Sequence, residues 1–417
     1  MSPDPAGSPE SLIPTLVEAA RRFGTPCYVT DLAALDRAAT ELGRAFPDPW
    51  IRQFSLKANP LPAVVARLAA EGVGANVVSA GEWAAATKAG LPNHLISLEG
   101  IGKTDSELQM AVMSAVNGKP LRWVTVESKD EMGALAKLAK AAGLGGSQRS
   151  LQVLLRLNPA VDSETRAGFQ VGSKISKFGM PEGELRELVQ RRAGTPSGLS
   201  IRGIHVHVGS QLAATEGWAE GGLRAALLLA ELAVDFEEMD TVDFGGGFPA
   251  GPTPALSEFR SRLEQRLAMA GVELPPRTAV EPGRCLVAAS GWLLATVLHV
   301  RQGQGGPQVV VDASMSELIR PALYNAHHEV VALSSSDGPS AARDATEVEG
   351  GVCESTDTFG VHELPPLRRG DLVALTVTGA YASAMFSNYN GRPRPPEVLI
   401  QPDHTLVLGR PGEPFAP

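Results

Sequence analysis

Residues 50–72 read "WIRQFSLKANPLPAVVARLAAEG". The first third, "WIRQFSL", has the aromatic and β-branched content of a strand, and the prolines at 60 and 62 open a helical pattern that runs to Gly72. Between them stands Lys57, at the end of an apolar run where a charge is costly. Such a lysine is either a salt-bridged surface residue or a chemical group. The order strand, polar residue, helix is also the unit from which the rest of the chain is assembled.

Strand-like runs recur at "IRQFSL", "ANVVS", "HLISLEG", "RWVTVES", "LQVLLRLNP", "LSIRGIHVHVGS", "MDTVDFGGG" and "PRTAVEPGR". Helical patterns separate them at 61–72, 80–90, 104–117, 129–142, 181–193, 216–235 and 255–270. The third helix opens with "TDSE", where Thr104 and Glu107 form a capping box that satisfies free backbone N–H groups. Eight strands alternating with helices predict an α/β fold, a (β/α)8 TIM-type barrel, with doubly wound sheets as the main competitor. A barrel gathers its chemistry at the C-terminal strand ends. Polar residues do collect there: Lys57, Asn76, Glu99, Glu127, Arg156, His205, His207, the glycines at 245–247, and Glu281 with Arg284.

From about residue 285 the pattern becomes alternating strands without long helices, as in "QVVVDAS", "HEVVALS", "DLVALTVTGAY" and "EVLIQPDHTLVLG", which predicts a C-terminal β domain. The expected division is an N-terminal segment, 1–34, joining the β domain; a barrel, 35–284; and the β domain, 285–417. The stretch "SSSDGPSAARDAT" is expected to be a mobile loop between two strands.

At 417 residues, 43% hydrophobic and 20% charged, the chain can bury a large core. A net charge of −9 without any basic block argues against nucleic acid or an anionic membrane as a partner. No apolar run approaches a membrane span. Three cysteines (Cys27, Cys285, Cys353) without CxxC spacing form neither a disulfide framework nor a zinc site, which fits a reducing, cytoplasmic setting.

"DFGGGFP" follows a strand, and backbone N–H groups of Gly245, Gly246 and Gly247 could approach a phosphate; a purely structural glycine turn is the alternative. Glu281 in "EPGR" either pairs with Arg284 or keeps a heteroaromatic ring nitrogen protonated, making the ring an electron sink. Lysine amine, phosphate cradle and ring-nitrogen acid together describe pyridoxal 5'-phosphate. His207 could stack on the ring, and His205 would point to the same strand face. A metal held by the two histidines is the competing reading, but no carboxylate nearby in the sequence completes a ligand set.

These stretches resemble the barrel-type, fold type III pyridoxal-phosphate decarboxylases of basic amino acids, with diaminopimelate decarboxylase the nearest kind. The resemblance runs from "FSLKANP" through "GVGANVVSAGEW", "HVHVGSQ", "DFGGGFP", "EPGR", "DASMSELIRPALYNAHHEV" and "GGVCESTD" to "GAYASAMFSNYNGRPRPPEVLI". It implies that Lys57 bonds covalently to the cofactor, held partly desolvated at the strand end, that His207 stacks on the ring, and that Glu281 pairs with its nitrogen. It also implies Arg156 near the ring hydroxyl, and Ser210, Gly245 to Gly247, Gly283, Arg284 and Tyr381 around the phosphate. Arg284, Arg320, Tyr324, Glu354 and Tyr381 would hold the substrate. Cys353 would donate a proton after carbon dioxide leaves, and Cys353 and Glu354 would serve the neighbouring subunit's site, so the resemblance implies a homodimer with shared active sites.

Two departures bear on the substrate. The second strand carries Asn76 where the family usually has Asp, with an effect of either sign on the nearby charges. The loop "SETRAGFQVGSKISKFGM" lacks the family's "TG…NKFG" pattern and is more like relatives in specialised pathways. Decarboxylation of meso-diaminopimelate, the same chemistry on another amino acid or a carrier-bound aminoacyl group, and a non-catalytic pyridoxal-phosphate-binding homologue therefore all remain as readings.

Overall fold

The computed structural model describes residues 9–146, 149–162, 165, 172–173, 176–192, 198–303, 305–334 and 342–414. It divides into two compact units: Met1–Ala38 with Leu286–Pro417, and Ala39–Cys285. Helix α1 (Pro9–Phe23) and strand β1 (Cys27–Asp31) come first, and α2 (Leu32–Ala45) follows them.

In the second unit, strands β2 (Ile51–Ser55), β3 (Gly74–Val77), β4 (Ile96–Leu98), β5 (Trp123–Val126), β6 (Leu151–Leu157), β7 (Leu199–Val206), β8 (Thr241–Asp243) and β9 (Arg277–Val280) form a closed barrel in sequence order. Every pairing is parallel, and β2 closes on β9 with Ile51 opposite Ala279. Strands with both faces covered need no polar side, so β3 and β5 are buried at every position. The intervening helices are α3 (Pro62–Ala70), α4 (Ala80–Lys88), α5 (Asp105–Val116), α6 (Lys129–Ala141), α7 (Glu182–Arg192), α8 (Glu216–Ala233) and α9 (Leu256–Ala270). The TIM-type fold and the positions of these helices are as the periodicity predicts, because each boundary has a local cause. Ser79 and Ser128 cap α4 and α6, Thr104 and Glu107 form the expected capping box, and α9 stops at Gly271 in the left-handed region with φ 68°.

One aromatic cluster matters for the site. Trp218 of α8 meets Phe259 of α9 edge-on at 5.8 Å, and both Phe244 and Phe248 pack on Trp218. Those two phenylalanines flank the three glycines of "DFGGGFP" and are buried. Burying such a ring stabilises by roughly 1.5–3 kcal/mol, so the glycine loop is anchored at both ends.

Helix α10 (Arg284–Val287) begins in the second unit and ends in the first, which is built on β1 with α11 (Arg320–Tyr324) and strands β10 (Gly291–Gly303), β11 (Gly306–Val311), β12 (Val330–Ala332), β13 (Asp344–Glu349), β14 (Thr358–Leu364), β15 (Leu372–Leu375), β16 (Glu397–Ile400) and β17 (Leu406–Arg410). Its nine-stranded sheet runs β14-β13-β11-β10-β1-β16-β17, with β15 joining β10 to β12. Strand β10 carries the period of two: Leu293, Ala295 and Val297 enter one core, Trp292 and Leu294 the other. Helix α1 lays Leu12, Leu16, Ala19 and Ala20 on the second of these cores. No elements are predicted before residue 51, so α1, β1 and α2 are additions. Residues 335–341 of the expected mobile loop lie outside the described residues. Among the described residues no helix is long and apolar enough to cross a membrane.

Candidate active site

Lys57 stands two residues beyond β2, in a 3₁₀ turn over Leu56–Ala58. It is exposed, which corrects the expectation of a partly desolvated strand-end lysine: the strand hydrogen bonding stops at Ser55, and the following turn presents the side chain outward. Burial lowers His207 and Lys57 adds to that, while burial raises Glu82 and Glu281 and Lys57 only partly offsets it.

Glu281 follows β9 and is buried. Its N–H donates to the Gly245 carbonyl at 2.9 Å, and its own carbonyl accepts from the Ser55 hydroxyl at 3.3 Å. The backbone around the acid is therefore tied to both neighbouring strand ends. Asn76, at the end of β3, donates to Glu281 Oε1 at 2.5 Å. His205 Nε2 lies 3.4 Å from Glu281 Oε2 and 3.5 Å from Glu99 Oε2. Burial first, then the charge of Glu99, pushes the Glu281 carboxyl well above its ordinary range. Burial opposes ionisation of Glu99, but His205, Glu281, Asn76 and Arg156 together hold it well below that range. Burial also lowers His205.

This arrangement corrects the reading of His205. Two carboxylates that are remote in sequence do lie beside it, and the ligand atoms of Glu99, His205 and Glu281 fall within 4.8 Å of one another. The single His205 nitrogen thus faces an oxygen of each glutamate. Two buried carboxyl groups this close repel one another when both are ionised, which favours one proton between them.

His207 is half-buried and neutral, its pKa held well below the ordinary value by burial and by Lys57, Arg156 and His205. Its Nδ1 accepts from the Gly246 N–H at 3.0 Å, which fixes the ring's orientation. The Gly245 N–H donates to Asp243 Oδ1 at 2.9 Å. Gly245 and Gly246 therefore do not offer their N–H groups to a phosphate as expected. They act by close approach: an added Cβ would sit 2.5 Å from the Val206 carbonyl oxygen at Gly245 and 2.3 Å from that of Glu281 at Gly246. Gly247 is held at φ 105° with Gly209 O only 2.6 Å from an added Cβ.

Arg156 of β6 donates to Glu127 Oε1 at 2.6 Å, both side chains being buried, and stacks its guanidinium over Phe178 at 4.7 Å. Glu127 Oε2 also accepts from the Gly179 N–H at 3.0 Å. Arg284 opens α10 and reaches the Ser210 hydroxyl at 3.5 Å. Gly283 packs against Ser55 and Ala58, where an added Cβ would lie 3.3 Å and 3.5 Å away. Lys57, Arg156, His207, Ser210, Gly245 to Gly247, Glu281, Gly283 and Arg284 thus all belong to the C-terminal strand ends of one barrel.

The remaining candidates belong to the other unit. Arg320 is buried at the start of α11 and donates to His328 Nε2 at 2.9 Å; His328 Nδ1 meets the Thr376 carbonyl at 2.9 Å. An arginine only donates, so His328 keeps Nε2 unprotonated and Nδ1 protonated. Tyr324 closes the same helix. Cys353 and Glu354 are exposed on the turn between β13 and β14, and Glu354 accepts from the Tyr389 hydroxyl. Tyr381 is held at φ 59°. Sequence reasoning assigned no role to Glu99, His328 or Tyr389. For Glu99 the available signal was an acid ending the apolar run "HLISLEG".

A primary amine, a buried acid, a neutral imidazole and a glycine cradle at one barrel mouth fit a pyridoxal phosphate. The family described as pyridoxal-dependent decarboxylase, pyridoxal binding domain, matches residues 32–288. The diaminopimelate decarboxylases of Zymomonas mobilis and Actinosynnema pretiosum are 32% and 36% identical to this chain, each alignment covering 94% of it and 91% and 88% of the respective relative. The solved diaminopimelate decarboxylase of Helicobacter pylori complexed with L-lysine superposes with a TM-score of 0.86 at 29% identity, covering 96% of this chain and 97% of that one.

Proposed function

The chain belongs to the pyridoxal-dependent decarboxylases, and from that premise we propose that its reaction is the decarboxylation of meso-diaminopimelate to L-lysine. It is a carboxy-lyase that uses pyridoxal phosphate. The observation that carries the substrate is similarity to several diaminopimelate decarboxylases over more than nine-tenths of the chain.

When bound, the cofactor supplies an electron sink for the pair left on Cα as carbon dioxide departs. The chain's own groups do the rest. Lys57 would hold the cofactor through its amine. Glu281 holds the ring nitrogen protonated. His207 covers one ring face as a neutral imidazole, its Nδ1 occupied by Gly246. Arg156, locked by Glu127, addresses the ring hydroxyl. With the N–H groups of Gly245 and Gly246 engaged elsewhere, phosphate recognition falls mainly to Gly247, Gly283, Ser210 and Arg284, with Tyr381.

Arg320, Tyr324, Arg284 and Tyr381 hold the substrate's carboxylates. Cys353 returns the proton to Cα and Glu354 receives the distal ammonium, both at the site of a second copy, so the working form is a homodimer. Their exposure on one turn supports this reading. We assign the enzyme to the cytoplasm, where three free thiols stay reduced.

Carbon dioxide release from meso-diaminopimelate, lysine, ornithine and arginine, each with the cofactor-loaded enzyme, tests the substrate. Turnover of meso-diaminopimelate well above the other three is expected. Preference for another amino acid, or absence of turnover with all four, would overturn meso-diaminopimelate as the substrate.

A further inference from the structure

Beneath Glu281 lies a closed polar network on the barrel's inner face. Glu99 from the end of β4, Asn76 from β3, His205 from β7 and Glu281 from β9 are all buried. Thr125 of β5 donates to Glu99 Oε1 at 3.1 Å. The side-chain amide of Asn76 donates to Glu281 Oε1 at 2.5 Å. His205 Nε2 faces an oxygen of each glutamate, whereas its buried Nδ1 has no hydrogen-bond partner among the described residues. The neutral tautomer with hydrogen on Nε2 is the one that fits.

Other charges face the network. Lys57 and Arg156 favour ionised carboxylates, while Asp243, below the glycine loop, and Glu127, neutralised by Arg156, add negative potential. Two buried carboxyl groups whose oxygens lie within 4.8 Å of one another retain one proton between them.

We propose that Glu99, Asn76 and His205 form a proton-sharing seat for Glu281: Glu99 stays ionised, Asn76 and His205 face the acids with N–H donors, and one proton rests on Glu281 until a protonated ring nitrogen takes its place. Atoms and charge balance in either direction of arrival. A cofactor arriving protonated at the ring nitrogen docks against the Glu281 carboxylate, and the displaced proton leaves to solvent. One arriving deprotonated takes the proton from Glu281. Glu99 is then a second anion close behind the pair, a positioning residue that acts on the ring through Glu281.

The network also accounts for Asn76, whose effect the sequence left open. An aspartate there would be a third acid in a space already holding two, without the donors that hold them apart. The amide at 76 and the acid at 99 are thus one arrangement, and exchanging them together should be tolerated better than changing either alone. The inference rests on the proposed seating of the ring nitrogen at Glu281.

A double-mutant cycle tests it, with pyridoxal phosphate affinity of the apoprotein as the readout. Asn76→Asp should weaken binding about tenfold or more, and Glu99→Gln should also weaken it. The double variant Asn76→Asp, Glu99→Gln should return to within about threefold of wild type. Multiplication of the two single effects would overturn the sharing. Infrared difference spectra on adding the cofactor give a second test that needs no substitution to be tolerated. A protonated-carboxyl band should disappear from the wild-type chain and be absent from Glu281→Gln; persistence of the band would also overturn it. The seat itself fails separately, if Glu281→Gln binds cofactor with wild-type affinity and pH dependence.

Discussion

Replacing Gly246 by alanine adds one methyl carbon where the chain has least room. The new Cβ would stand 2.3 Å from the Glu281 carbonyl oxygen and 3.2 Å from its carbonyl carbon. Both are backbone atoms, so no side chain can rotate away, and relief requires the glycine loop and the Glu281 strand end to separate by roughly 1 Å. Phe244 and Phe248 anchor the loop in the aromatic cluster, so the strain falls on Glu281 and on the Gly246 bond to His207. Overpacking of this kind costs about 1–3 kcal/mol of stability. A misplacement of about 1 Å costs about 100-fold in rate, equivalent to about 2.7 kcal/mol of barrier. Gly251→Ala is the matched control, since an added Cβ there meets nothing within 4 Å. Turnover of both cofactor-loaded variants, with urea unfolding of each, should separate them by these amounts. If Gly246→Ala behaves like Gly251→Ala in both assays, the steric argument for the cradle is wrong.

Glu127→Ala should destabilise the chain by about 3–5 kcal/mol in denaturant unfolding, because it leaves the Arg156 guanidinium buried without its carboxylate and strips the Gly179 N–H of an acceptor; a loss under 1 kcal/mol would contradict this. Cys27 is buried, and burial with the nearby Glu397 pushes its thiol up to about 12, so it is protonated near neutral pH. Iodoacetamide at about pH 8 should therefore alkylate exposed Cys353 while sparing Cys27 in the native chain, as peptide masses would report; equal labelling would count against the packing around β1. Lys57→Ala and Cys353→Ala homodimers should each be nearly inactive, and subunit exchange between them should recover about one quarter of wild-type turnover, since about half the dimers are hybrids with one intact site. No recovery, with exchange confirmed by differently tagged chains, would place Cys353 in its own chain's site.

The fold could be read because its signals are local. Each barrel strand is an apolar run bounded by a cap or a turn, and Ser79, Thr104, Ser128 and Gly271 mark helix ends within a few residues of the pattern they terminate. Lys57, Glu281 and the three glycines were visible for the same reason, as polar or side-chain-free residues where apolar ones belong. What could not be read depends on closure. Glu99 and Glu281 are 182 residues apart in the numbering and meet through His205 only because eight strands form a ring. The hydrogen bonds that occupy the Gly245 and Gly246 N–H groups likewise require Asp243 and His207 to be placed by neighbouring strands. Strand β1 pairs with β10 and β16 from the far end of the chain, a partnership no short window contains.

Whether the barrel-mouth lysine carries the cofactor beside the buried ring-nitrogen acid is decided by borohydride reduction of the holoenzyme followed by peptide mass mapping. The reduced cofactor should be found on the peptide containing Lys57, and Lys57→Ala should take up no covalent label while unfolding as cooperatively as the wild type. Label on any other lysine, or undiminished labelling of Lys57→Ala, would contradict the account.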